Sequence, residues 1–197
     1  FMSFRKEIKF HVHLSEIFKF KEHLFVTGLR SLYPDRKIIS CYFDTIDHQF
    51  FWDSEEGLLP RKKIRIRWYN GDLNYTKEIK ISSIEGRYKY IDHSSNYDST
   101  TDIAKVRIFD TDHGILFPSL IVTYFRQYYE YSGLRLTFDS NISYSKPNNN
   151  ALLSFKDSRS VIEVKASFHA DDDYIQSILP YSTSRFSKYS RGLQFFL

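Results

Sequence analysis

The sequence predicts an α+β domain built on a closed antiparallel β-barrel of about eight strands with flanking helices. Three observations lead there. Segment after segment alternates apolar and charged residues with the period of a half-buried strand. Aromatic residues make up 18% of the chain, and aromatic side chains favour strands. The alternating segments are long and successive, as closure of a sheet on itself requires.

Residues 4–13 read as the first strand, with Arg5, Glu7 and Lys9 on one face and Phe4, Ile8 and Phe10 on the other. Ser15 is the expected N-cap of a helix that carries Ile17, Phe18, Phe20, Leu24, Phe25 and Leu29 with mixed helical spacing and ends at Tyr33-Pro34-Asp35. A mostly buried strand follows over 37–45, then a short helix or turn over 47–55 with Phe50, Phe51 and Trp52. Residues 61–69 form the clearest strand. Lys63, Arg65 and Arg67 share one face; Ile64, Ile66 and Trp68 share the other. Asn70-Gly71-Asp72 turns the chain into a strand over 73–81 that carries Glu78 and Lys80. After Glu85-Gly86, Arg87 and Lys89 alternate with Tyr88 and Tyr90.

Residues 92–118 are less regular, and 103–109 suit either helix or strand. A long strand over 119–131 places Tyr124, Arg126 and Tyr128 together, and Ser132-Gly133 returns the chain. Residues 134–140 set Arg135, Thr137 and Asp139 against Leu134, Leu136 and Phe138. Residues 145–150 are a loop. The last strand, 159–167, groups Val161, Glu163 and Lys165. A short helix over 171–179 stops at Pro180, and a basic, hydroxyl-rich tail runs from Arg185 to Gly192. No repeat or linker interrupts residues 1–197, which are expected to form a single domain.

Charge and composition exclude several classes. Net charge is +4, a mild basic excess that suits an anionic ligand. Few glycines and prolines (7 and 5) argue against a low-complexity chain. No apolar run reaches the length of a transmembrane helix, and Phe1 to Arg5 lack the layout of a signal peptide. Cys41 is the lone cysteine, read as a buried packing residue; a single thiol fits a reducing compartment, so the expected location is cytoplasmic. Walker-type glycine loops, G-x-S-x-G and C-x-x-C are absent. His11 and His13 have zinc-compatible spacing without further ligands, and Asp171-Asp172-Asp173 reads as a solvated helix start.

The charged faces carry the functional signal. They hold Arg5, Lys9, Lys63, Arg65, Arg67, Lys80, Arg87, Lys89, Arg126, Arg135 and Lys165, against Glu7, Glu78, Asp139 and Glu163. The bland explanation is a sheet with one wet face and modest cross-strand ion pairs. The Arg-rich composition favours a second explanation: inward faces whose repulsion is offset by a bound polyanion. Arginine grips phosphate oxygens as a planar fork, and lysine adds a compact charge. Glu7 and Glu163 could hold a divalent cation such as Mg²⁺ or Mn²⁺, which favours carboxylates and phosphate oxygens.

These motifs in this order resemble a known family. They are Arg5-x-Glu7-x-Lys9-Phe10, Tyr42-Phe43-Asp44-Thr45, Lys63-x-Arg65-x-Arg67-x-Tyr69, Glu78-Ile79-Lys80, Tyr124-x-Arg126-x-x-Tyr129, Arg135-x-Thr137-x-Asp139, Glu163-Val164-Lys165 and Phe186-Ser187-Lys188-Tyr189-Ser190. Residues 4 to about 192 resemble the VTC domain, the polyphosphate polymerase branch of the triphosphate tunnel metalloenzymes. The resemblance implies a tunnel inside the barrel that binds triphosphate or polyphosphate with Mn²⁺ or Mg²⁺. It implies transfer of the γ-phosphate of ATP to a polyphosphate chain. By resemblance, Lys9, Arg65, Arg67, Lys80, Arg126 and Arg135 grip phosphates, and Tyr124, Ser187 and Lys188 face their path. Arg5, Arg87, Lys89 and Lys165 are further substrate-binding candidates. Glu163 is the implied main metal ligand and Glu7 a second one. Arg5 stands where the wider superfamily has the first Glu of Glu-x-Glu-x-Lys, which argues against thiamine triphosphatase or class-IV cyclase activity.

The expected function is therefore a metal-dependent, ATP-using polyphosphate polymerase. The alternatives are a tunnel triphosphatase acting on tripolyphosphate or nucleoside triphosphates, and a non-catalytic polyphosphate-binding module. Nucleic acid is not the expected partner, because the aromatics alternate with the cations and belong to the apolar faces. A membrane or multidomain partner would lie outside this chain.

Overall fold

A computed structural model describes residues 5–148, 153–167, 171–179 and 182–197. Phe4 of the first predicted strand, Asn149 and Asn150 of the predicted loop, and Pro180 lie outside the described residues, as does the side chain of Arg5. The elements are β1 (Arg5–His13), α1 (Leu14–Val26), β2 (Arg30–Asp44), α2 (Gln49–Glu56), β3 (Arg61–Tyr69), β4 (Asn74–Ser83), β5 (Gly86–Asp98), β6 (Ile108–Asp110), β7 (Gly114–Tyr131), β8 (Leu134–Ser145), β9 (Ser154–Lys156), β10 (Arg159–Ser167), α3 (Asp172–Ile178) and α4 (Lys188–Leu193). A 3-10 turn, Ile103–Lys105, precedes β6.

The strands form an antiparallel sheet with the path β1-β10-β8-β7-β2-β3-β4-β5; β6 pairs with β7 and β9 with β8. The α+β class stands, but the predicted closure into a barrel does not. The path ends at β1 and β5, which do not pair with each other among the described residues. Alternation gives every strand two faces and does not specify what its edge meets. On the outer edge of β1, the Lys9 carbonyl accepts 2.9 Å from the backbone N–H of Ser184. An irregular segment, not a strand, satisfies that group.

Two compact units divide the chain. Unit 1 comprises Phe1–Lys37, Tyr124–Ile142 and Asp157–Phe186. Its core joins Phe10, Ile162, Phe138, Val164 and Leu136 of the sheet to Ile17, Phe20 and Leu24 of α1 and Ile175 of α3. Register explains the layer: Phe10 is opposite Ile162, which is opposite Phe138. Each such side chain, once fully buried, contributes about 1.5–3 kcal/mol. The intervening residues Lys9, Glu163 and Thr137 form the next row and face the other way. Helix α1 is capped by His13, two residues before the predicted Ser15 cap, because Glu16 reaches back 2.9 Å to the His13 N–H. It ends at Thr27 and Gly28, where Gly28 adopts φ +114° and Leu29 N–H bonds the Leu24 carbonyl at 2.8 Å. The predicted stop at Tyr33-Pro34-Asp35 falls instead inside the exposed first half of β2, where a proline is tolerated.

Unit 2 comprises Ile38–Thr123, Ser143–Lys156 and Ser187–Leu197. Its core gathers Cys41, Phe43, Ile64, Ile66, Phe50, Ile108 and Leu116. Burial pushes the Cys41 thiol pKa up, consistent with a packing role. The segment with no clear period, 92–118, resolves into the far half of β5, the 3-10 turn, β6 and the start of β7. The pairing of this part of β5 with β4 shifts register between Tyr75 and Lys77. The tail predicted only as basic folds into α4. Gly192 is required there, since a Cβ would lie 2.3 Å from the Tyr144 ring.

Candidate functional site

In unit 2 the charged face is built from three cross-strand rows. Arg61, Ser82 and Arg87 form the first; Lys63, Lys80 and Lys89 the second; Arg65, Glu78 and Ile91 the third. Glu78 is the carboxylate of these rows. It accepts from Arg65 Nε at 2.7 Å and Lys89 Nζ at 2.7 Å, and Arg67 Nη1 lies 3.7 Å away. Burial opposes its ionisation, yet Arg65, Arg67 and Lys89 outweigh that and bring its pKa to about 2. On β2, Tyr42 accepts 2.9 Å from Arg65 Nη1, and Ser40 lies 3.3 Å from Arg67 Nε. Burial raises the Tyr42 pKa less than Arg65, Arg67 and Lys188 lower it. Lys63 Nζ donates to Ser187 Oγ at 2.8 Å, and Ser187 also caps α4 by accepting from Ser190 N–H.

Unit 1 brings a different set together. Its rows are Glu7, Lys165 and Arg135; Lys9, Glu163 and Thr137; His11, Val161 and Asp139. Arg126 donates to both oxygens of the fully buried Asp139, at 2.6 and 2.7 Å, and lies 3.8 Å from Glu163. Burial opposes the charge on Arg126, but Asp139 and Glu163 hold its pKa well above the ordinary value. The guanidinium also sits 5.4 Å from the Tyr124 ring centroid. Lys165 Nζ is 3.3 Å from Glu163, and Lys9 Nζ donates to the Phe186 carbonyl. Glu7 and Lys9 line a cavity of about 600 Å³ with Asp173, Gln176, Ser184 and Arg185.

The predicted residues thus fall into two sets. Arg65, Arg67, Lys80, Arg87, Lys89, Ser187 and Lys188 belong to unit 2; Glu7, Lys9, Tyr124, Arg126, Arg135, Glu163 and Lys165 belong to unit 1. Arg87 and Arg135 are exposed. The sequence motif Tyr42-Phe43-Asp44-Thr45 names Tyr42 without a site role, and Lys63 and Glu78 enter there only as members of the charged faces.

It also missed a candidate metal cluster. Asp110, Asp112 and His113 place ligand atoms within 4.8 Å of one another. The motif Asp-Thr-Asp-His was its signal. Asp110 Oδ1 accepts from the backbone N–H groups of Asp112 and His113 and lies 2.8 Å from His113 Nδ1. Two carboxylates and an imidazole suit a divalent cation. Here the ammonium of Lys62 bonds both carboxylates, so a metal at this place has to displace it.

The family model of the VTC domain matches residues 4–108 and 74–197. The chain belongs to the VTC domain family. That places it in the triphosphate tunnel metalloenzyme superfamily, with a candidate acidic and histidine metal cluster. Among curated proteins none matches. Solved structures agree on the fold of this VTC domain. A protein from Pyrococcus horikoshii OT3 is similar at 11% identity and TM-score 0.58, covering 96% of this chain and 99% of its own. A conserved hypothetical protein from Pyrococcus furiosus is similar at 13% identity and TM-score 0.56, covering 94% and 98%. A candidate adenylate cyclase from Vibrio parahaemolyticus is similar at 10% identity and TM-score 0.53, covering 98% of both chains. Among the described residues no helix is long and apolar enough to cross a membrane.

Proposed function

We propose that this VTC domain is a metal-dependent polyphosphate polymerase that takes the γ-phosphate of ATP. The observation that carries this reading is the row Lys63, Lys80, Lys89: three ammonium-bearing chains directly opposite one another across three strands. Like charges so placed destabilise a sheet, and a chain of phosphates laid across them reverses the sign of that contribution. Arg65 and Arg67 stand beside the row, supported by Tyr42, Ser40 and Glu78.

In the reaction, a terminal oxygen of the polyphosphate chain attacks the γ-phosphorus in line. The bond from that phosphorus to the β,γ-bridging oxygen breaks, and ADP leaves. Arg65, Arg67 and Lys80 would stabilise charge on the equatorial oxygens, while Lys63, Lys89 and Lys188 hold the chain. In unit 1, Lys9, Arg126 and Arg135 are the proposed phosphate-binding cations. Glu163, with Glu7 diagonal to it on the neighbouring strand, is the proposed holder of Mn²⁺ or Mg²⁺. Their oxygen donors fit such an ion, which when bound would neutralise phosphate charge.

Purified protein given ATP and Mn²⁺ is expected to accumulate long polyphosphate, and Arg65→Ala to abolish it. Release of free phosphate alone would make the protein a triphosphatase. Tight, salt-sensitive polyphosphate binding without turnover would make it a binding module. Glu163→Gln is expected to raise the Mn²⁺ needed for half-maximal activity by about tenfold or more. If Asp110→Asn does so and Glu163→Gln does not, the metal belongs to the cluster of Asp110, Asp112 and His113.

A further inference from the structure

Unit 2 has a concavity of its own, lined by none of the cations of the three rows. It is a cavity of about 310 Å³ formed by the loop at Thr45–His48, the 3-10 turn, the start of β7 and the segment after β8. Its walls include Ile46, Ala104, Phe117 and Pro118, and its polar lining includes Arg107, Lys146 and His48. The lining contains no carboxylate.

The two cations differ from four others in the unit. Lys62, Arg65, Lys77 and Lys89 all meet carboxylates. No carboxylate pairs with Arg107 or Lys146 among the described residues. Arg107 spends Nη1 on the carbonyls of Ala104 and Val106, and its guanidinium lies 4.8 Å from the Phe117 ring centroid. That leaves part of its donor fork for a ligand. Lys146 Nζ lies 5.3 Å from the Phe196 ring centroid. Aromatic faces thus position both cations without neutralising them.

His48 supplies an independent observation. Its Nδ1 is buried with no hydrogen-bond partner, an arrangement native structures rarely leave unexplained. Its backbone is held at φ +59°, with N–H bonded to the Thr45 carbonyl and C=O accepting from Trp52 N–H. A left-handed conformation is uncommon for a side chain other than glycine, and such positions concentrate at ligand sites. Burial is the main influence on this imidazole and lowers its pKa, with Lys146 adding to the effect and Asp44 and Asp47 opposing it. Near neutral pH it therefore offers a hydrogen-bonding ring and no further charge.

We propose that this cavity binds a small organic anion. The phosphate or carboxylate head lies on Arg107 and Lys146, and the apolar or aromatic body lies against Phe117, Pro118 and Ile46. The volume is at the lower end of ligand sites, so a small molecule fits it and a polymer does not. The site is separate from the proposed polyphosphate face, and neither reading depends on the other.

Calorimetric titration of the full chain with phenyl phosphate, benzoate and inorganic phosphate tests it. One of the two aromatic anions is expected to bind at least about tenfold more tightly than inorganic phosphate; which one does so identifies the head group. Arg107→Ala and Lys146→Ala are each expected to weaken that anion by roughly tenfold. Ala104→Phe, which fills the cavity from the 3-10 turn, is expected to abolish binding with its thermal midpoint retained. Lys80→Ala, outside this cavity, is expected to leave the affinity for the preferred aromatic anion unchanged. No heat from either aromatic anion up to about 10 mM would overturn the proposal. So would undiminished binding in Arg107→Ala, or loss of binding in Lys80→Ala alone.

Discussion

The two charged faces look alike in sequence and differ in register. In unit 1 the signs alternate: Glu7 is opposite Lys165, Lys9 is opposite Glu163, and Arg126 closes on Asp139. In unit 2 lysine meets lysine twice in one row. The first pattern is largely neutralised from within and stabilises the sheet. The second sets three ammonium groups side by side, with Lys89 held by Glu78 at 2.7 Å and Lys63 by Ser187; on the proposed reading a bound polyanion offsets the remaining repulsion. Removing a cation should therefore damage unit 1 through its fold and unit 2 through its function.

Arg126→Ala should give the largest effect. It leaves Asp139, which is fully buried, without its bidentate partner. Losing one member of a buried pair costs about 3–5 kcal/mol, readable as a fall in the urea midpoint. Arg65→Ala is expected to cost less than about 1.5 kcal/mol while abolishing product, because Arg67 and Lys89 still face Glu78. Equal losses of stability in the two variants would remove the contrast between the faces.

Glu78 gives an intermediate effect with a defined pH window. Its folded pKa of about 2 lies below the ordinary 4.5, so its contribution is fully present above pH 4.5. That contribution is lost as pH falls from 4.5 through 2, and it amounts to on the order of 2–3 kcal/mol. The stability gap between the native protein and Glu78→Gln should be constant above pH 5 and close progressively below about 4.5. Added tripolyphosphate should narrow the gap at neutral pH, since the anion replaces the missing carboxylate. A gap unchanged between pH 5 and pH 2.5 would show that the Arg65, Arg67 and Lys89 contacts do not depress this carboxyl.

What could be read in advance follows from the range of the forces involved. Strand β3 was legible to the residue, because alternation and the Asn70-Gly71 turn are local. The apolar halves of β1, β8 and β10 were legible for the same reason. Sheet closure was not, since the partner of the Lys9 carbonyl is Ser184, far away in sequence and in an irregular segment. Nor was the difference between the two faces. It depends on Lys80 falling directly opposite Lys63 and Lys89, and a shift of one residue in register would have turned these side chains to the other face. The cluster of Asp110, Asp112 and His113 was missed because β6 has only three residues, too few to show a period.

Lys80→Gln should produce the smallest change and the most diagnostic sign. It removes the central charge of the row Lys63, Lys80, Lys89. Relief of two directly opposed like-charge pairs is worth roughly 0.5–1 kcal/mol, so the ligand-free variant should be more stable than the native protein. The gain should shrink as salt rises from about 20 mM to 500 mM, because the Debye length falls below the spacing of neighbouring strands. With tripolyphosphate present the order should reverse, since the native protein then has one more cation on the bound anion. Most substitutions at half-buried strand positions destabilise, so a stabilising effect that ligand inverts points to charge held for a ligand. A variant less stable than the native protein both with and without the anion would mean that Lys80 serves the sheet, and that the row of lysines is an ordinary wet face.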